Sequence, residues 1–131
     1  MMRKFPPAVS RAKTSEGSAP VLPRHFERAA VDLSAQYAIE GRPGWNASRI
    51  DDLGGGGVRL QTEEDVAAGT LLALRFEVGG KPIAATARVA MSLFDQSRSR
   101  YIHGVAFTVI EPDQQQTIVR RVVELQGRKN T

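Results

Sequence analysis

The chain contains no cysteine. Disulfides, thiolate zinc sites and thiol nucleophiles are thereby excluded, and the composition suits a reducing cytoplasm. Aromatic residues make up only 6% of the sequence, a poor supply for a base-stacking platform on single-stranded nucleic acid. No apolar run approaches the ~20 residues of a membrane-spanning helix. The opening Met1-Met2-Arg3-Lys4-Phe5-Pro6-Pro7 is basic but has no apolar core after it, unlike a signal peptide. A cytoplasmic chain without membrane insertion is therefore expected. The two histidines, His25 and His103, form no His-Glu-x-x-His pattern. His103 reads as a structural residue. The carboxylates Asp51-Asp52 and Glu63-Glu64-Asp65 read as solvated acidic loops, because an oxygen cage needs ligands spaced around one centre. No metal ligand and no catalytic residue is assigned, and the chain is read as a non-enzyme.

What is present is enough for one core: 131 residues with a net charge of +4. The charge is uneven. Residues 1–23 hold Arg3, Lys4, Arg11 and Lys13 against Glu16, a net +3, which leaves +1 for the rest. A nucleic-acid polymer is therefore not the expected partner, because the folded part has no basic stripe. The same segment carries Pro6, Pro7, Pro20 and Pro23 with no apolar period, and reads as a flexible basic arm. The domain is expected over 24–131.

Within that domain, residues 30–40 alternate apolar and polar and read as a first strand. Gly41-Arg42-Pro43-Gly44 is a turn. A second strand is expected over 45–52 with Ala47 and Ile50 inward, and a third over 58–62. Residues 63–69 form an acidic connector ending in a turn. Strand four is expected over 70–78. It is joined by the two-residue turn Gly79-Gly80 to a long strand over 81–94, with Ile83, Ala85, Ala87, Val89 and Met91 on one face. Strand six, over 101–110, has Ile102, Val105, Phe107 and Val109 as core contributors, with a bulge expected near Gly104. The period then changes. Pro112 at a helix start, Asp113 in the first turn, and Ile118, Val119, Val122, Val123 and Leu125 predict a helix over 113–126 stopped by Gly127. The fold class is mainly β: a six-stranded antiparallel barrel with a C-terminal α-helix, since closure removes exposed edges.

Four consecutive glycines, Gly54 to Gly57, follow Asp51-Asp52 and precede the third strand. Two readings stay open: a loose loop, or a place where a planar or anionic group meets bare backbone. A P-loop is excluded because Val58-Arg59-Leu60 follows instead of Gly-Lys-Ser/Thr. A dinucleotide fingerprint fails at Arg59. Upstream, Arg24 and Arg28 lie in one short segment ahead of the first strand. Two guanidinium forks suit phosphates or the acceptor edge of guanine. Asp52 can accept two N–H donors with one carboxylate.

These motifs, in this order, resemble the PilZ domain, a bacterial receptor module for cyclic di-GMP. Arg24-x-x-x-Arg28 matches its first motif. Asp52-Leu53-Gly54-Gly55-Gly56-Gly57 matches its second, with Gly54 where the family usually has Ser. Tyr101-Ile102-His103-Gly104-Val105-Ala106-Phe107 is similar to its sixth strand. The resemblance implies that Arg24 and Arg28 grip guanine and phosphate. Asp52 would accept from guanine N1–H and N2–H, and Gly54 and Gly57 would leave room for the ligand. It also implies ordering of the N-terminal arm on binding and a downstream protein partner. Pro23 stands where some members carry an extra arginine for a stacked ligand pair, so one ligand molecule is expected. Loss of the serine hydroxyl at Gly54 leaves an alternative: a degenerate module that docks a protein and binds no nucleotide.

Overall fold

The computed structural model describes residues 26–129. The expected arm over 1–23, and Arg24 with it, lies outside the described residues. The elements are β1 (Arg28–Ile39), β2 (Asn46–Gly54), β3 (Gly57–Thr62), β4 (Leu71–Val78), β5 (Lys81–Asp95), β6 (Arg100–Ile110) and α1 (Pro112–Lys129). All strand pairs are antiparallel, and they close a barrel in the order β1-β2-β3-β6-β5-β4. Closure depends on β1 pairing β4 from Ala35–Phe76 to Ile39–Leu72. Gly79 and Gly80 take φ of 59° and 83°, the left-handed pair that lets a two-residue hairpin follow the twist of its strands.

The core fills the barrel with one inward face of each strand. Ile50, Leu53, Val58, Leu60, Leu72, Leu74, Ile83 and Val89 are buried there. α1 covers the end at which β1 begins and β2 finishes, with Ile118 and Val122 packed into the core. Proline at the first helical position needs no N–H partner there, and Asp113 suits the positive end of the helix dipole. The opposite end is plugged by the connector after β3. Its Val66 is buried, and the Val66 N–H donates to His103 Nε2 at 3.1 Å.

Several expectations are corrected. Ala47 is exposed and Ser48 points inward, because β2 takes its phase from the fully buried Ile50 two residues on. Met91 leaves the inward face of β5 and is 43% exposed, because the register with β6 shifts between Val89 and Met91. That irregularity lies in β5 opposite Gly104, whereas β6 runs regularly from Tyr101 to Ala106 against β3. His103, fully buried, takes the inward place beside Val105, while Ile102 is buried outside the core cluster. Val123 is 59% exposed, off the face that carries Ile118 and Val122. Gly127 does not stop α1, which continues to Lys129.

Candidate functional site

Leu53 follows Ile50 by three positions, and both are buried in the barrel. Strict alternation cannot place both inward. The register between β2 and β3 therefore shifts between Ile50 and Asp52. The extra residue lets two consecutive carboxylates stay outside. Asp51 accepts from Arg59 Nε and Gln61 Nε2, both at 2.7 Å. Asp52 Oδ2 accepts from Arg28 Nε at 3.0 Å. A second shift, in the β1–β2 pairing between Ala30 and Leu33, brings the start of β1 alongside the glycine run, with Arg28 opposite Gly54 and Ala30 opposite Asp52.

The tetraglycine is built structure. Gly54 ends β2, Gly57 begins β3 and the two pair directly, leaving Gly55-Gly56 as the turn. None of Gly54, Gly55 or Gly57 has a left-handed φ. Glycine is required here by close approach. A Cβ on Gly54 would stand 3.1 Å from both Arg28 Cγ and the Glu27 carbonyl oxygen. On Gly55 it would enter the Phe26 ring at 2.6 Å. On Gly57 it would stand 2.1 Å from the Val105 carbonyl oxygen. Gly57 thus lies close against β6, where the Val105 carbonyl oxygen takes the space a side chain would need.

The turn is held from two further sides. Phe107 N–H donates to Gly56 O at 2.9 Å, and Gln115 Nε2 of α1 donates to Gly55 O at 2.8 Å. Gln126 of α1 donates to the Arg28 carbonyl oxygen. Arg28, exposed, Asp52, half-buried, and Gly54, buried, are therefore brought together at one rim of the barrel. Phe26, Gln115 and Gln126 belong to the same constellation and were invisible to motif reading. The glutamines reach across 60 and 98 positions of sequence, and nothing in a helical period singles them out.

This rim is a surface. The large open groove, about 1360 Å³, lies elsewhere, along β1, β2 and β4 with Gln36, Arg49, Arg75 and Glu77 on its walls. It includes none of Arg28, Asp52, Gly54 or Gly57. Among the described residues, no cluster of His, Asp or Glu is arranged to hold a metal ion, and no helix is long and apolar enough to cross a membrane. The acidic connector is more than a solvated loop: Glu64 accepts from Tyr37 Oη at 2.5 Å and from Arg42 at 3.1 and 2.6 Å. His103 is buried as a structural residue. Its Nε2 accepts from Val66, so the proton sits on Nδ1, 3.4 Å from Leu60 O, and burial pushes the imidazole below its ordinary pKa.

The structure is a closed six-stranded antiparallel barrel with an arginine–aspartate pair at its rim. A family model described as the PilZ domain matches residues 23–124, and the chain belongs to that family. No curated protein matches the chain at a significant level. Solved structures are similar in fold. The inhibitor of motility MotI/DgrA from Bacillus subtilis superposes with a TM-score of 0.69 at 17% identity, covering 85% of this chain and 55% of that one. MrkH from K. pneumonia in complex with c-di-GMP gives 0.64 at 17%, covering 84% and 54%. The PilZ domain of YcgR from Escherichia coli, with c-di-GMP, gives 0.60 at 14%, covering 83% and 95%. The chain thus spans just over half the length of the MotI and MrkH chains.

Proposed function

We propose that this chain is a receptor for cyclic di-GMP, a non-enzymatic module that reads the nucleotide at the rim formed by Arg28, Asp52 and Gly54. The observation that carries the reading is the Arg28–Asp52 pair at 3.0 Å beside Gly54, whose bare backbone lies against the arginine stem. A guanidinium offers five donors in a plane, and one bond to Asp52 leaves capacity for phosphate or for guanine O6 and N7. The Asp52 carboxylate has two oxygens and can take the guanine N1–H and N2–H pair. Arg24, carried by the same motif, is assigned as the second fork. The family match and the ligand-bound neighbours MrkH and YcgR support this choice of nucleotide.

Binding is relayed, in this reading, by ordering of the segment that contains Arg24 and the preceding arm onto the barrel, which presents a new surface to a protein partner in the cytoplasm. No nucleic-acid polymer, membrane or cofactor takes part. The test is calorimetric titration of cyclic di-GMP into the intact protein and into Arg28→Ala. Saturable heat in the first and none in the second is expected, with one ligand per chain. No binding to the intact protein would replace the receptor reading with that of an interaction module that has lost the nucleotide. Gly54→Ser is then the variant in which binding would return. Limited proteolysis of the arm, equally fast with and without ligand, would overturn the ordering step.

A further inference from the structure

We infer that Gln115 and Gln126 of α1 are positioning residues for the nucleotide-binding rim, so that the docking of the C-terminal helix and the seating of the ligand are coupled. The inference rests on the receptor reading above for its binding arm. Its structural arm stands without it.

The argument begins with what the rim has to supply. Two segments far apart in sequence must be held in register: the entry to β1 with Arg28, and the glycine turn after Asp52. Glycine loses more conformational freedom on ordering than any other residue, and four adjoin here. The turn has no side chains of its own with which to hold itself. Its carbonyls are held from outside, Gly56 O by the β6 backbone and Gly55 O by the Gln115 amide at 2.8 Å. Further along the same helix, Gln126 donates to the carbonyl of Arg28 itself. Both amides come from one helix. Each reaches the backbone of one of the two ligand motifs, at Arg28 and at Gly55.

Apart from these two glutamines, α1 docks through an apolar face. That docking is carried by Ile118 and Val122, buried at 0% and 2% exposure, with Gln114 anchoring the first turn to Ala84 N–H at 2.8 Å. The two functions of the helix are therefore separable by substitution. A helix docked by its apolar face sets where the amides stand, and the amides set where Arg28 and the turn stand. By linkage, a ligand that prefers the held arrangement must also favour the docked helix, by the same factor.

The experiment uses the full chain as Gln115→Met, Gln126→Met and the double variant, which keep side-chain length and remove the amide donor. Gln115→Lys, which keeps a donor, is the rescue. Three quantities are read: cyclic di-GMP affinity by calorimetry, thermal midpoint, and amide hydrogen exchange at Arg28 and Gly54 to Gly57 in the free protein. The expected result is an affinity about three- to tenfold weaker for each Met variant, the loss of one hydrogen bond. Exchange at the rim is faster, the midpoint stays within a few degrees, and Gln115→Lys recovers most of the affinity. If the wild type binds and the Met variants bind equally well, the inference is overturned while the receptor reading stands. If affinity and midpoint fall together, with no recovery in Gln115→Lys, the glutamines are structural and the inference is again overturned. If the wild type does not bind, the receptor reading fails, and unchanged rim exchange in the Met variants would overturn the positioning role by itself.

Discussion

Arg28 and Asp52 stand 24 positions apart in the chain and meet at 3.0 Å across the β1–β2 rim, with side chains 44% and 24% exposed. Each partially satisfies the other in the free protein. A half-exposed pair of this kind contributes about 0.2–1 kcal/mol to stability, whereas a charge-assisted hydrogen bond to a ligand is worth about 1.5–3 kcal/mol. Substitution should therefore separate stability from binding. Arg28→Ala and Asp52→Asn are each expected to lower cyclic di-GMP affinity by about tenfold or more, with unfolding free energy changed by less than about 1 kcal/mol. Calorimetry and urea denaturation on the same preparations check this. A variant that binds normally, or one that loses several kcal/mol of stability, would sink the assignment of that residue as a ligand contact.

His103 is expected to make the fold sensitive to acid. The ring is fully buried, accepts the Val66 N–H at Nε2 and faces Leu60 O, and burial lowers its pKa. In the unfolded chain an imidazole takes up its proton near pH ~6.5. The folded ring resists until a lower pH, so the unfolded state binds more protons in between, and stability rises with pH across that window. The contribution of His103 is thus complete above about pH 6.5 and falls below it, by at most about 1.4 kcal/mol per pH unit. His103→Gln keeps an acceptor for Val66 and does not titrate. Urea midpoints compared between pH 7.5 and pH 5.5 should drop more in the wild type than in this variant. Parallel drops would show that other groups set the acid limit.

At the same end of the barrel, Glu64 is shared by Tyr37 and Arg42. Burial first, and then the bond to Glu64, push the Tyr37 hydroxyl well above its usual pKa, while Arg42 holds Glu64 below the usual carboxylate range. A raised folded pKa means that the stability is complete below the unfolded value of about 10 and is lost as pH rises beyond it. Tyr37→Phe should cost about 1 kcal/mol at neutral pH, because its partner is a charged but partly exposed carboxylate. The same variant should lose less stability than the wild type above about pH 10. Alkaline denaturation of the two proteins, followed by circular dichroism so that phenolate absorbance does not interfere, tests both statements. An equal alkaline loss in the variant would mean that Tyr37 does not titrate with unfolding.

The barrel and the helix were legible in the sequence because period-two alternation, turn glycines and the change to helical spacing are local signals, and each strand carries its own. In the strands, departures came where the pairing is irregular. Nothing local announces that β2 carries one extra residue around Asp51, although the spacing of Ile50 and Leu53, both buried, is consistent only with such an insertion. In β5 the shift after Val89 turned Met91 outward in the same way. Of the candidate site residues, Arg28, Asp52 and Gly54 converge in the fold, while Arg24 lies outside the described residues. What surrounds them was hidden, because Phe26 on Gly55 and the two glutamines of α1 are long-range contacts made by ordinary residue types. At Gly57 the reason for glycine was not legible, since a missing side chain looks the same in sequence whether a ligand or a neighbouring strand lies against it.

That last ambiguity can be resolved by adding atoms. The four glycines are not equivalent, because what a new Cβ would meet differs at each. At Gly57 it meets the Val105 carbonyl oxygen at 2.1 Å, a backbone atom fixed by the β3–β6 ladder, so the strands themselves must part. Gly57→Ala is expected to cost about 3 kcal/mol or more, the upper end for overpacking, because no side chain can yield. At Gly55 the contact is the Phe26 ring at 2.6 Å, which can swing away, so Gly55→Ala should cost less and should loosen the entry to β1. At Gly54 the nearest atoms are Arg28 Cγ and the Glu27 carbonyl oxygen at 3.1 Å, a tight contact that shifts of a few tenths of an ångström relieve. Gly54→Ser should therefore fold with a cost of roughly 1 kcal/mol and strengthen nucleotide binding by up to about tenfold, the worth of one added hydroxyl contact. Thermal unfolding of the three variants, with calorimetry on Gly54→Ser, checks the order. If Gly57→Ala were as stable as Gly54→Ser, the approach of β6 would not be what requires glycine at that position.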